Sequence, residues 1–230
     1  MNSATISADI ISSTALSAGD KRLLQEHLLR LLRELKDRYG NEKFFGRIVQ
    51  GDSIECALER PCHVLRIALL LKTFVKSLDL PLAQSKDKRI KYFKEHGIRL
   101  AVAVAPLTIL DPGEGIIDGE AIYLSGRTIK NLSTSGKQKI VIKTTMFFRC
   151  TDEEKQERFD TVIALLDKII SGCSGKQCEI LYYKLSGFSE KEISRKLSKN
   201  QSTISQHSTA AGWQAIEKAV KYFENQISLG

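Results

Sequence analysis

Along the first 150 residues the spacing of apolar positions switches repeatedly between the two-residue period of strands and the three-to-four-residue period of helices. Residues 5–8 read as a first strand. Ser17 and Asp20 then offer N-caps to a long helix in which Leu24, Leu28, Leu31, Leu32 and Leu35 stack on one face, and Gly40 stops it. Residues 43–49 and 53–58 form a hairpin around Gly51, which suits a two-residue turn. Pro61 opens a helix that is apolar around most of its circumference and runs to about Leu78. Residues 97–105 are a continuous apolar run, the signature of a strand buried on both faces, ended by Pro106. After a loop with Pro112 and Gly113 come a helix at 121–132 and a last strand at 139–143. The order β-α-β-β-α-β with an added α-β predicts an α+β fold, a ferredoxin-like two-layer sandwich with helices on one face of an antiparallel sheet.

From residue 151 only helical spacing remains. The chain divides into an α/β domain at 1–150, a connecting helix at 151–172 that begins with Asp152, Glu153 and Glu154, and an all-helical domain at 173–230. Residues 171–175 are small enough to serve as a linker. A helix at 176–185 and a turn at 186–188 lead to a short helix opened by the capping box of Ser189 and Glu192, with Ile193 and Leu197 on one face. After a break at 198–200, the next helix has Ile204 as its one core-facing apolar residue among short hydrogen-bonding side chains. Such a helix can hold to a three-helix core on one side and read base edges with the other. Gln201, Ser202, Thr203 and Gln206 are the candidate readers, and Arg195 and Lys199 the candidate phosphate contacts. A small bundle used for dimerisation is the competing reading. Trp213, Ile216, Val220 and Phe223 mark a closing helix, as core or as a dimer seam.

A hydrophobic share of 42% and a charged share of 27% belong to an ordinary globular chain. The formal net charge of +8 favours a polyanionic partner without establishing one. Lys86, Lys88, Arg89, Lys91 and Lys94 concentrate part of it in residues 81–96, either a solvated loop with a short helix or a basic contact surface. Cys56, Cys62, Cys150, Cys173 and Cys178 have no paired zinc-site spacing and read as reduced, mostly buried thiols. With no signal segment and no apolar run long enough to span a bilayer, the expected location is cytoplasmic, away from membranes.

The candidate chemistry rests on two acids. Asp52 sits at the hairpin tip and Asp9 just after the first strand. If these strands are neighbours, two carboxylates meet at one sheet end, as a divalent metal and a phosphate ligand require. The plain alternative is a loop acid and a turn acid bonding their own backbone.

Residues 8–14 (ADIISST) and the Gly51–Asp52 hairpin resemble the metal-binding elements of class III nucleotidyl cyclases. Residues 98–103 and 118–127 are similar to the cyclase strand before the variable loop and the helix that follows, so the resemblance spans roughly residues 4–145. It implies Asp9 and Asp52 as ligands of Mg²⁺ or Mn²⁺, and Arg127 as a transition-state arginine. Tyr123 falls where an amide should bind ribose, and Ile48 and Ile117 fall at the base-reading positions, with Arg47 expected on the other side of its strand. Glu55 and Glu120 are further acids near these motifs.

Residues 187–205 (GFSEKEISRKLSKNQSTIS), preceded by Gln177, resemble the helix-turn-helix of sigma-factor region four and of response regulators. The combination of both parts resembles the SatD family. The resemblance implies a nucleotide cyclase-like domain followed by a helix-turn-helix domain, in a DNA-binding transcriptional regulator that works as a homodimer. Metal ligation survives in this pattern while base recognition does not. The first domain is therefore expected to sense or dimerise, with a small nucleotide or metal as ligand, more than to catalyse. An active metal-dependent nucleotidyl cyclase or nucleotidyl-transfer enzyme is the alternative.

Overall fold

The computed structural model describes residues 2–82, 87–132 and 142–227. Strands β1 (Asn2–Ile10), β2 (Phe45–Val49), β3 (Ser53–Leu58), β4 (Ile98–Asp111), β5 (Ile116–Gly119) and β6 (Met146–Cys150) form one sheet in the order β2-β3-β1-β4-β5. All these neighbours are antiparallel, and β6 joins β4 in parallel. Helix α1 (Ala18–Tyr39) links β1 to β2, and α2 (Val64–Ser77) and α3 (Ile90–His96) link β3 to β4. α4 (Glu120–Leu132) follows β5.

The helices do not all lie on one face, contrary to the two-layer expectation. On one side Ala4, Ile6, Ala8 and Ile10 of β1 and Leu100, Val102 and Val104 of β4 join a single apolar cluster with α1 and α2. The alternate residues are Thr5, Ser7, Ala101 and Ala103, and here α4 packs against β1 and β4. The Ser125 hydroxyl of α4 lies 3.0 Å from that of Thr5 and 2.9 Å from that of Ser7. Small side chains let a helix approach the sheet closely, so this face takes a helix of its own.

Three boundaries also moved. β4 passes through Pro106, which sits opposite Asn2 at the last rung of the β1 ladder, where a missing N–H costs least. Beyond it β4 changes partner to β5, with a register shift between Leu107 and Ile109. The hairpin pairs Val49 with Ser53, so its turn has three residues, with Gln50 and Gly51 both at positive φ. Of the strand expected at 139–143, residues 139–141 lie outside the described segments, and Ile142 and Lys143 are in no strand. The strand is Met146–Cys150 instead, its start anchored by Asp167, which accepts hydrogen bonds from the N–H groups of Thr145 and Met146.

Helices α5 (Glu153–Ser171), α6 (Gly175–Leu185), α7 (Glu190–Leu197), α8 (Gln201–Ala210) and α9 (Trp213–Ile227) complete the described chain. Phe159, Ile163 and Ile170 of α5, Cys178 and Leu181 of α6 and Val220 and Phe223 of α9 belong to the same apolar cluster as α2 and the sheet. That cluster runs across the boundary read at 172/173. Residues 171–175 form a tight turn, because Ser174 and Gln177 cap α6 reciprocally and Cys173 is buried. A second, small cluster of Ile180, Ile193 and Ile204, with Tyr183, Phe188 and Leu197 around it, holds α6, α7 and α8 together. Each of its isoleucines contributes on the order of 1.5–3 kcal/mol by burial. Among the described residues no helix is long and apolar enough to cross a membrane.

Candidate functional site

β1 and β3 are adjacent, and their register sets Asp9 opposite Ser53, the residue after Asp52. The two acids therefore come together at one sheet end. The backbone fastens them: Ile10 N–H donates to the Asp52 carbonyl at 3.0 Å. Ser12 takes a left-handed conformation and turns the chain into a 3-10 turn, Ser13–Ala15, which folds back over the hairpin tip. From there Ser13 Oγ donates to Asp52 Oδ2 at 2.6 Å. Gln25 of α1 holds the tip from the other side, donating through Nε2 to the Gly51 carbonyl at 2.8 Å.

A third charge enters from β4. Arg99 lies opposite Asp9 in the sheet and is only 4% exposed. Its guanidinium is 3.7 Å from Asp9 Oδ2 and donates to the Leu132 carbonyl, at the C-terminal end of α4, at 2.6 Å. The arrangement leaves Asp9 Oδ1 buried with no hydrogen-bond partner among the described residues. Burial pushes the Asp9 carboxyl above its ordinary range; Arg99 pulls it down and Asp52 pushes it up again. The unpaired Asp9 oxygen beside the Asp52 carboxylate makes a donor set that fits a divalent cation. Asp9 and Asp52 would hold the ion, which when bound would polarise a phosphate oxygen or activate a hydroxyl.

Beside Asp52 lies a pocket of about 180 Å³ lined by Ser13, Thr14, Lys21, Gln25 and Gln50. Ligand pockets for drug-sized molecules run from about 300 Å³ upward. This one suits a phosphate-sized group, with Lys21 as the cation on its wall.

The other residues singled out from the sequence lie elsewhere. Arg127 is exposed and stacks over the Tyr123 ring at 5.9 Å, and the Tyr123 hydroxyl donates to Asp118. Ser125, between them on α4, faces the sheet, so Tyr123 and Arg127 point away from the strands that carry the two aspartates. Ile48 packs on the apolar cluster, while Arg47 faces the other way and pairs with Glu55 at 2.7 Å. Ile117 is half-buried on β5, and Glu120 is exposed at the start of α4. Arg99 and Lys21 are the residues that the sequence reading missed.

The C-terminal candidates form a second arrangement. In α7 both bonds of the Ser189–Glu192 capping box are present. Ser198, left-handed, ends α7, and the turn closes as Lys199 N–H donates to the Ser194 carbonyl at 3.0 Å. Ile193 and Ile204 face Ile180, so the outward side of α8 presents Gln201, Ser202 and Gln206, all exposed, with Thr203 half-buried beside them. Arg195, on α7, is exposed, and Lys199, in the inter-helix turn, is half-buried.

No protein-family model matches the chain, and no curated protein matches it. In structure it is similar to an adenylate cyclase from Trypanosoma brucei in its monomeric state, at a TM-score of 0.37 and 22% identity, over 55% of this chain and 68% of that one. A second Trypanosoma brucei adenylate cyclase structure gives a TM-score of 0.36 and 20% identity, over 55% and 66% respectively. Likeness at this level assigns neither activity nor family.

Proposed function

We propose that the chain is a DNA-binding transcriptional regulator of the SatD type. In this reading a cyclase-like domain binds a metal or nucleotide phosphate at Asp9 and Asp52, and α7 and α8 act as a helix-turn-helix. The observation that carries it is the outward face of α8: a run of exposed amide and hydroxyl side chains, with no acid in the helix, next to Arg195 and Lys199. Amides and hydroxyls of this kind hydrogen-bond base edges, and the neighbouring cations suit phosphates. Two chains paired about a two-fold axis would address two half-sites about one helical turn apart.

Fluorescence anisotropy against a pool of genomic fragments tests the reading. Binding is expected to weaken steeply with salt. Gln201→Ala is expected to cost about 1–3 kcal/mol at the preferred sequence, and Lys199→Ala to weaken all sequences alike and reduce the salt slope by about one. Absence of any salt-sensitive binding counts against a DNA role.

A second reading, metal-dependent nucleotidyl transfer, draws on the unpaired Asp9 Oδ1. Mn²⁺ at about a hundred times its Kd is expected to stabilise the chain by about 2.7 kcal/mol, an effect lost in Asp52→Asn. Incubation with the four nucleoside triphosphates and Mn²⁺ separates a sensor from an enzyme. A product that forms with the wild type and not with Asp52→Asn selects the enzyme.

A further inference from the structure

We propose that Glu42, Cys62 and His63 form a site for a divalent transition metal, zinc by donor type, at the seam where α9 crosses the junction between β3 and α2. Glu42 ends the 3-10 turn after α1, and Cys62 and His63 belong to the 3-10 turn Pro61–His63 that leads into α2. One ligand atom from each lies within 4.8 Å of the other two, and they are the one such group of three among the described residues. Zinc bonded at about 2.0–2.3 Å in a tetrahedron sets its donors roughly 3.5 Å apart.

Two independent features mark the cluster as incomplete. Glu42 Oε2 is a buried polar atom without a hydrogen-bond partner among the described residues. Such an atom costs free energy unless a partner satisfies it. The surroundings also favour a cation: His63 Nε2 is 3.3 Å from Glu42, and His63 Nδ1 is 3.5 Å from Glu224 of α9. One nitrogen, one sulfur and one carboxylate oxygen select zinc over magnesium, which prefers oxygen alone.

The backbone on both sides is braced, since Glu59 N–H donates to the Glu42 carbonyl at 3.0 Å. A pocket of about 540 Å³, lined by Arg60, Pro61, Cys62 and Ile227 among others, opens beside the thiol and supplies a route for the ion. Glu224, whose carboxylate Arg66 of α2 holds at 2.7 and 3.0 Å, stands at the other ring nitrogen of His63. A metal here would clasp the α1–β2 connection, the start of α2 and, through Glu224, the helix that closes the C-terminal bundle.

The test uses the full chain freed of metal with a chelator, and Co²⁺ as an optical probe. One equivalent of Co²⁺ is expected to produce a thiolate-to-cobalt charge-transfer band that Zn²⁺ removes. Zn²⁺ is expected to bind at least tenfold more weakly to Cys62→Ser and to His63→Gln, and to raise the melting temperature of the wild type but not of these variants. Cys150→Ser and Asp52→Asn are expected to keep both the band and the thermal shift, which separates this site from the pair at Asp9. Glu42→Gln retains thiol and imidazole, so it reports on the site even where circular dichroism shows a Cys62 or His63 variant to be unfolded; its expected result is also a tenfold loss. Absence of the band, its survival in Cys62→Ser, or an unchanged zinc affinity in Glu42→Gln overturns the proposal.

Discussion

Asp167→Ala is expected to lower the unfolding free energy by about 3–5 kcal/mol, the range for removing one partner of a buried charged pair. Asp167 accepts from Thr145 N–H at 2.6 Å and from the Thr145 hydroxyl at 2.6 Å, and it faces Lys72 Nζ at 3.7 Å. Lys72 is fully buried on α2 and donates to the carbonyls of His96 and Ile98 and to Thr145 Oγ1. The network ties α2, β4, the start of β6 and α5 together. Removing Asp167 orphans the amide at the head of β6 and leaves a buried ammonium without its carboxylate. The loss should appear in urea unfolding and as a melting temperature lower by roughly 10 °C. Asp167→Asn, which keeps an acceptor and loses the charge, should lose less.

The pH dependence follows from Lys72. Burial is the main cause that lowers its pKa from 10.5 to about 8, and Asp167 acts against that shift. The unfolded chain therefore binds more protons than the folded one between these values, and the lysine's contribution makes the wild type more stable as pH rises from about 8 to 10.5. Without Asp167 the folded-state pKa falls further. The electrostatic part of the mutational loss is then present below about pH 8 and vanishes above it, where Lys72 is neutral in both folded proteins. A loss from Asp167→Ala that did not shrink between pH 7 and pH 9 would show that Lys72 and Asp167 are not electrostatically linked.

Gly119→Ala is expected to be nearly as damaging, at on the order of 3 kcal/mol. Gly119 has φ +128, and a Cβ there would lie 2.6 Å from Thr108 N and 2.7 Å from Leu107 Cα. Both are backbone atoms of β4 at the register shift, so neither can swing aside. The clash falls where β5 hands over to α4 and should loosen the helix that covers Thr5, Ser7 and Arg99. Gly40→Ala is the control: Gly40 is in right-handed helical conformation with nothing within 4 Å of a new Cβ. That substitution should stabilise by about 0.4–1 kcal/mol through the unfolded state. Thermal unfolding of the two variants side by side checks both, and equal effects would refute the steric account.

Much of the sheet could be read from the chain, yet its layering was misjudged from a signal that was present. A run buried on both faces at 97–105 cannot belong to a sheet with helices on one side only. Within it, Ala101 and Ala103 alternate with Leu100, Val102 and Val104, and a strand face of small residues invites a close helix. Arg99 was legible by the same logic, because a lone charge inside such a run needs a buried partner. That its partners are Asp9 and the end of α4 was not legible, since pairing of β1 with β4 is a choice among all strands. Cys62 and His63 gave no metal signal because their third ligand, Glu42, lies in another connection and is brought near only when α1 and the β3–α2 junction pack.

The sequence by itself determined what reaches only three or four residues along the backbone. Ser17 caps α1, Ser189 and Glu192 cap α7, and Ile193 and Ile204 turn inward while Gln201 and Gln206 turn out. Helix period, capping and turn chemistry are local, so the interacting groups are neighbours in the chain before it folds. Only the tertiary structure decided that α4 takes the second face of the sheet, that Asp9 meets Asp52 and Arg99, and that Lys72 finds Asp167. These contacts depend on strand pairing and on burial in a shared interior, where the energy of a side chain is set by partners far away along the chain.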